Sequence, residues 1–383
     1  MRKKIALIGS TGSIGKQVIN VALRYPERFE IVAMSANSDV SGFEKQLALV
    51  KPAFANLRDE KAAGSLTEIP HGTRFVGGEG GFAEACGYEG ADVIFNAVTG
   101  FAGLFVTLSA IQAGKDIALA NKESLVVGGA LVMPYAARRG VNIMPVDSEH
   151  SALWQCLNFR RSADFSKLVI TASGGALRDV PVEKLSETTA KEALRHPNWS
   201  MGAKITIDCA TMLNKGFEVI EAMWLYNAPF EKIDVVVHRE SIIHSMVTFA
   251  DGATLAQLSY PSMELPIQLA LTYPERFDCA LAPVDFVALG AMHFERVDEN
   301  RYPCFALAKS CARAGGSLPC VLNAAGEIAV GAFLRGEIKY TEIAQILERT
   351  LSRFSAESVS DYTFLLETDK RARAIAKQFI AEG

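Results

Sequence analysis

The chain reads as an α/β protein with three parts: an N-terminal doubly wound parallel sheet, a central α+β region and a C-terminal α-helical tail. Three observations predict this. Short apolar strands alternate with amphipathic helices up to about residue 146; strand-like alternation without intervening helices follows over 233–249 and 253–259; helical periodicity dominates the end. At 383 residues the chain is long enough for two or three cores.

Residues 4–8 form the first strand, followed by Gly9-Ser10-Thr11-Gly12-Ser13-Ile14-Gly15 and an amphipathic helix to about Arg24. A second strand covers 29–34 and a helix 41–50; 91–97 and 116–120 are buried strands with 102–113 helical between them. Beyond 146 the pattern changes. A strand at 167–171 ends in Ser173-Gly174-Gly175, a polar loop spans 190–202, and 209–225 is helical. The two alternating stretches read as antiparallel strands. Proline-spaced 273–303 reads as a linker. In the tail Ile343, Ile346, Leu347, Leu351 and Phe354 keep the helical period, and a charged helix closes the chain. The expected parts are therefore 1–146, 147–272, a linker at 273–303, and 304–383. Tyr-Pro-Glu-Arg-Phe occurs at 25–29 and 273–277 without flanking similarity, which does not make a repeat. Lys370, Arg371, Arg373 and Lys377 are expected on a solvated helix face.

Hydrophobic residues make up 49% and charged residues 21%, as in a soluble globular enzyme. A net charge of −4 offers no general attraction for nucleic acid or an anionic membrane. Seven cysteines without a CxxC pair point to a reducing, cytoplasmic setting with mostly buried thiols. Only four apolar residues follow Met1-Arg2-Lys3-Lys4 before Gly9, too few for a signal-peptide core, and no run suits a membrane span.

The glycine-rich turn between first strand and helix suits a dinucleotide pyrophosphate. The second strand ends in Asn37-Ser38-Asp39, which has neither a well-placed ribose acid nor a base for a 2′-phosphate, so charge leaves the cofactor open. Asp147 and Glu149 lie two apart, and on an extended segment both would emerge on one face. Their bland reading is a solvated strand end or the acids of a helix start. Asn214, Lys215 and Glu218 share a helix face, where Lys215 and Glu218 could equally be an exposed pair. Ser173-Gly174-Gly175 is a second anion-shaped turn. The loop 195–202 carries Trp199 and reads either as surface or as a lid. His71 and His293 are expected to be solvated, and His238 and His244 to sit on strands.

These segments together resemble the 1-deoxy-D-xylulose 5-phosphate reductoisomerase family. The likeness runs through Gly9–Gly15, Ala-Asn-Lys-Glu-Ser-Leu-Val at 120–126, Pro-Val-Asp-Ser-Glu-His-Ser-Ala at 145–152 and Thr-Ala-Ser-Gly-Gly at 171–175. It continues through His-Pro-Asn-Trp-Ser-Met-Gly at 196–202, Asn-Lys-Gly-Phe-Glu at 214–218, His-Arg-Glu-Ser-Ile-Ile-His-Ser at 238–245 and Leu-Asn-Ala-Ala-Gly-Glu at 322–327. The resemblance implies a homodimer with a Rossmann-type NADPH domain, a catalytic domain and a C-terminal helical bundle. It implies Mg²⁺ or Mn²⁺ on Asp147, Glu149 and Glu218, and NADPH on Thr11, Gly12, Ser13, Ile14, Asn37, Ser38, Asn121, Glu123 and Gly202. Lys122, Ser148 and Glu149 would meet substrate hydroxyls, while Ser173, Cys209, Asn214 and Lys215 would hold its phosphate or nearby oxygens; His196 and Trp199 would close over it. The catalytic set would be Lys122, Asp147, Glu149, His196 and Glu218. The implied reaction is metal-dependent rearrangement of 1-deoxy-D-xylulose 5-phosphate and NADPH-dependent reduction to 2-C-methyl-D-erythritol 4-phosphate, on the methylerythritol phosphate route to isoprenoids. Three positions depart from the family pattern: Cys209 stands where a phosphate-binding serine is usual, Asn37-Ser38-Asp39 lacks a base, and Gly326 replaces an asparagine. Two rivals are an NAD(P)-dependent dehydrogenase of a small hydroxy acid or semialdehyde, and a catalytically silent nucleotide sensor.

Overall fold

The computed structural model describes residues 2–160, 164–199 and 201–382, so Ser200 of the expected lid lies outside the described residues. The chain divides into two compact units. One comprises Met1–Ser124, Val132–Ser148 and Met263–Leu281; the other comprises Leu125–Leu131, Glu149–Ser262 and Ala282–Gly383.

The first unit is built on a seven-stranded sheet of β1 (Lys3–Ile8), β2 (Phe29–Ala36), β3 (Phe54–Leu57), β4 (Arg74–Phe75), β5 (Val93–Asn96), β6 (Asp116–Leu119) and β7 (Ile143–Pro145). Their spatial order is β4-β3-β2-β1-β5-β6-β7, and every neighbouring pair is parallel. Helices cover a parallel sheet on both faces, which is why Ile5–Ile8 and Val93–Asn96 are buried throughout. The doubly wound expectation holds. Chain order reverses between β1 and β5, and ligand crevices open beyond the carboxyl ends of strands at such a point. The sequence reading contains neither β3 nor β4, whose four and two residues are too short for a period to register.

The two Tyr-Pro-Glu-Arg-Phe copies meet in this unit. The Arg28 guanidinium lies 4.2 Å from the Phe277 ring centre and 3.3 Å from Glu275, and the Tyr25 and Phe277 rings are 6.0 Å apart. Arg24 adds a 2.7 Å ion pair with Glu264 and a bond to the Cys279 carbonyl. Residues 273–281, expected to begin a linker, are thus packed against the end of the helix Ser13–Arg24.

The second unit holds a mixed sheet of β8 (Phe165–Ala172), β9 (Ile233–Val237), β10 (Ile243–Phe249), β11 (Thr254–Leu258) and β12 (Glu295–Arg296), ordered β11-β10-β8-β9-β12. The stretch 233–249 is two strands, not one. The chain leaves the sheet at His238 and turns through Ser241, whose φ is 54°; β9 then pairs parallel with β8 while β10 pairs antiparallel with it. The expected helix 209–225 is also two, Ala203–Ala210 and Leu213–Leu225, separated by Met212 in the left-handed region at φ 56°. The tail forms helices Pro303–Ala314, Leu318–Leu334, Glu342–Leu351 and Tyr362–Ala381. Ile343, Ile346 and Leu347 are buried, and Leu351 and Phe354 pack on Val321, Ala324 and Ala372. Arg373 departs from the solvated-face expectation: it pairs with Asp369 and Glu327, each at 2.7 Å. Among the described residues no helix is long and apolar enough to cross a membrane.

Candidate active site

In the first unit, β1 runs into Gly9 at φ 93°, where a Cβ would stand 2.6 Å from the Ala97 carbonyl oxygen just past β5. Only glycine lets the two strand ends approach this closely. Thr11, Gly12, Ser13 and Ile14 lead into the helix Ser13–Arg24, whose N-terminus has no side-chain cap. Its leading N–H groups suit a pyrophosphate. Asn37 and Ser38 are exposed just past β2, and Asp39 accepts from the Gly42 N–H at 2.9 Å, capping the next helix. Asn121 has a bracing role. Its amide donates to the carbonyls of Val98 and Gly100 and to Glu123, and its oxygen accepts from the Ser124 N–H.

The acidic cluster forms where β7 passes into the helix Ser148–Cys156. Glu149 lies in the first turn of that helix, so the extended-segment reason for its pairing with Asp147 does not apply. The carboxylates gather all the same: one oxygen from each of Asp147, Glu149 and Glu218 lies within 4.8 Å of the others. Glu218 is fully buried, and Asp147 is 9% exposed. Lys122 sits 2.5 Å from Asp147, and Lys215 sits 2.5 Å from Glu218 and 3.4 Å from Glu149. Asn214 donates to the other Glu218 oxygen at 2.6 Å. The exposed-pair reading of Lys215 and Glu218 fails, because both are buried. An all-oxygen, carboxylate-only donor set is what a hard divalent cation takes, so these residues fit one.

The sequence reading missed the support behind this cluster. His150 and Glu221 are fully buried, with the imidazole Nε2 3.1 Å from the Glu221 carboxylate, and Tyr226 donates to the His150 carbonyl. Glu221 lies three residues past Glu218, so helical spacing beside the motif was its available signal.

The Ser173-Gly174-Gly175 turn follows β8, with both glycines at positive φ. A Cβ at Gly175 would meet the Ala210 Cα at 2.5 Å and the Cys209 carbonyl oxygen at 2.6 Å, so the turn lies directly on the end of the helix Ala203–Ala210. Cys209, half-buried, is at that helix end, and Gly202 caps its start. The Ser173 hydroxyl accepts from the Gly175 N–H and meets His196 Nε2 at 2.9 Å. His196 Nδ1 accepts from the N–H groups of Asn198 and Trp199, so Nε2 carries the proton in the neutral ring and donates to Ser173. Burial, aided by the Arg178 charge, pushes this imidazole down to about 4. Trp199 meets the His244 ring edge-on at 5.9 Å, and Asn198 donates to Ser241 and the Arg239 carbonyl. His71 and His293 are both exposed as expected, His293 bonding to Glu240 at 2.6 Å, and His238, just past β9, is buried.

Family models described as 1-deoxy-D-xylulose 5-phosphate reductoisomerase, its C-terminal domain, and DXP reductoisomerase C-terminal domain match residues 5–129, 143–226 and 258–375. The chain is 49% identical over 381 residues to the 1-deoxy-D-xylulose 5-phosphate reductoisomerase of Geobacillus kaustophilus, covering 99% of this chain and 100% of that one. It is 45% identical over 385 residues to the enzyme of the same name from Thermomicrobium roseum, covering 100% and 99%. Among solved structures, a DOX-P reductoisomerase in complex with NADPH, fosmidomycin and magnesium superposes with a TM-score of 0.93 at 37% identity, covering 99% of this chain and 98% of that chain. The Zymomonas mobilis reductoisomerase in complex with NADPH superposes at 0.92 and 36% identity, covering 99% of each.

Proposed function

Since this chain belongs to the 1-deoxy-D-xylulose 5-phosphate reductoisomerase family, we propose that it rearranges 1-deoxy-D-xylulose 5-phosphate and reduces the product with NADPH to 2-C-methyl-D-erythritol 4-phosphate, a step toward isoprenoids. The observation that carries this reading to particular residues is the gathering of Asp147, Glu149 and Glu218 beside Lys122 and Lys215. A dehydrogenase of hydroxy acids or a silent nucleotide sensor has no use for such a cluster.

We assign Asp147, Glu149 and Glu218 as ligands of Mg²⁺ or Mn²⁺, which when bound supplies Lewis acidity toward adjacent carbonyl and hydroxyl oxygens. NADPH supplies the hydride, its pyrophosphate held by Thr11, Gly12, Ser13 and Ile14, with Asn37, Ser38 and Gly202 toward the rest of the nucleotide. Lys122, a buried ammonium, donates toward substrate oxygen where negative charge develops. Ser148 bonds a substrate hydroxyl. Ser173, Asn214, Lys215 and the Cys209 position hold the phosphate end, whose remote binding energy draws the loop 195–202 over the substrate. There Trp199 excludes water, and His196 fixes the Ser173 hydroxyl. The seven cysteines form no disulfide, which supports a cytoplasmic setting. The family resemblance supports a homodimer, which light scattering would test.

The test is turnover of 1-deoxy-D-xylulose 5-phosphate with NADPH or NADH, with chelator and after Mn²⁺ or Mg²⁺ is restored. Glu218→Gln is expected to cut turnover by more than the roughly 10–100-fold that loss of an outer-shell partner costs, while NADPH still binds. Activity near the wild-type rate in that variant sinks the ligand assignment.

A further inference from the structure

We infer that Arg58, not the segment after β2, supplies the cation that selects the 2′-phosphate of NADPH. This rests on the nucleotide assignment above and deepens it. In a doubly wound sheet the ribose of the adenosine half lies at the end of the second strand, where NAD binders hold an acid and NADP binders a base. Here that position offers Asn37, Ser38 and Asp39, so its only formal charge is negative and works against a phosphate dianion.

The base stands on the neighbouring strand. β3 pairs with β2 through Ala36 and Leu57, and Arg58 follows directly. Its N–H donates to the Ala36 carbonyl and the Asp59 N–H to the Asn37 carbonyl, so the ends of β2 and β3 are tied together at this point. The side chain is held in place before any ligand arrives. Its Nε donates to Glu79 at 2.8 Å, and its guanidinium lies 4.4 Å from the Phe82 ring centre. Both partners belong to the helix Gly78–Cys86, which Asn56 anchors to β3 by donating to the carbonyls of Val76 and Gly78. Among the described residues the two terminal Nη groups donate to nothing, and the side chain is 34% exposed. A guanidinium oriented through Nε and one face, with its terminal donors open, is preorganised for a phosphate.

The experiment compares wild type with Arg58→Gln and Arg58→Lys. Isothermal calorimetry measures 2′,5′-ADP and 5′-AMP, and steady-state kinetics measure NADPH and NADH. Loss of a charge-assisted phosphate contact is expected to weaken 2′,5′-ADP and raise the NADPH KM by roughly 10- to 100-fold in Arg58→Gln. kcat at saturating NADPH should hold, the constants for 5′-AMP and NADH should move less than about two-fold, and Arg58→Lys should recover part of the loss. An unchanged ratio of 2′,5′-ADP to 5′-AMP affinity overturns the inference, as does a parallel loss of both ligands, which marks Arg58 as a brace of the fold. The calorimetry requires no turnover, so a chain that binds 2′,5′-ADP through Arg58 yet fails to convert the sugar phosphate refutes the reaction and leaves this inference standing.

Discussion

At the scale of single residues, His196 shows how a loop fixes a proton. Two backbone N–H groups donate to Nδ1, and the Ser173 hydroxyl oxygen accepts from the N–H at Nε2. Its folded value of about 4 lies below the ordinary 6.5. Between those values the unfolded chain binds the extra proton, so this group's contribution to stability is whole above 6.5 and falls as pH drops toward 4. An NMR titration of the His196 ring is expected to give a midpoint well below that of a free imidazole; a midpoint near 6.5 means the ring is open to water. Cys209 is the other testable residue, since a thiol is a weak donor. Cys209→Ser is expected to leave the KM for the sugar phosphate equal or lower it by up to roughly ten-fold, and a marked rise shows that the thiol does not stand in for a donor. His196 was legible as a member of a motif, and Cys209 only as a departure from the pattern of the family that the chain resembles. Arg58 was not, because nothing in the sequence marks 54–57 as a strand lying beside β2.

At the scale of elements, periodicity located Ser13–Arg24, Val40–Val50, Ala102–Gln112, Glu342–Leu351 and the longer strands but not Glu123–Arg139, and it failed where backbone geometry changes inside an apolar run. No glycine or proline separates Ala203–Ala210 from Leu213–Leu225, and the break rests on Met212 in a conformation that L-residues seldom adopt. That break starts a new helix one residue before Asn214, so Asn214, Lys215 and Glu218 all lie in its opening turns. The Ser173-Gly174-Gly175 turn depends on close packing against the helix before the break, and here glycine is indispensable. A Cβ at Gly175 would strike the backbone of Ala210 and Cys209 at 2.5–2.6 Å, with φ already at 74°. Gly175→Ala is expected to destabilise the protein by about 2–4 kcal/mol, from left-handed strain and overpacking. Gly64→Ala, with nothing near its Cβ, should stay within about 0.5 kcal/mol. Urea denaturation of the two variants decides the matter, and equal midpoints would remove the packing argument.

At the scale of the whole molecule, sequence order hides which distant stretches meet. Two identical pentapeptides with no shared flanks gave no hint that Arg28 and Tyr25 of one pack on Phe277 of the other. The acidic residues were recognisable by type, but a one-dimensional pattern could not show that the stretches 147–149 and 214–218 converge. Three carboxylates and two ammoniums there leave one net negative charge in a largely buried setting, and a divalent cation would reverse that sign ahead of a dianionic sugar phosphate. Only the folded chain assembles this donor set, so cation binding must stabilise the fold, by about 2.7 kcal/mol at one hundred times its dissociation constant. Mn²⁺ is therefore expected to raise the thermal midpoint of the wild-type protein in proportion to the logarithm of its concentration. Glu218→Gln should lose most of that rise, because one of three anionic ligands is gone while Lys215 keeps its charge beside Glu149. A rise of equal size in the variant would place the ion elsewhere, and with it the chemistry assigned to these three side chains.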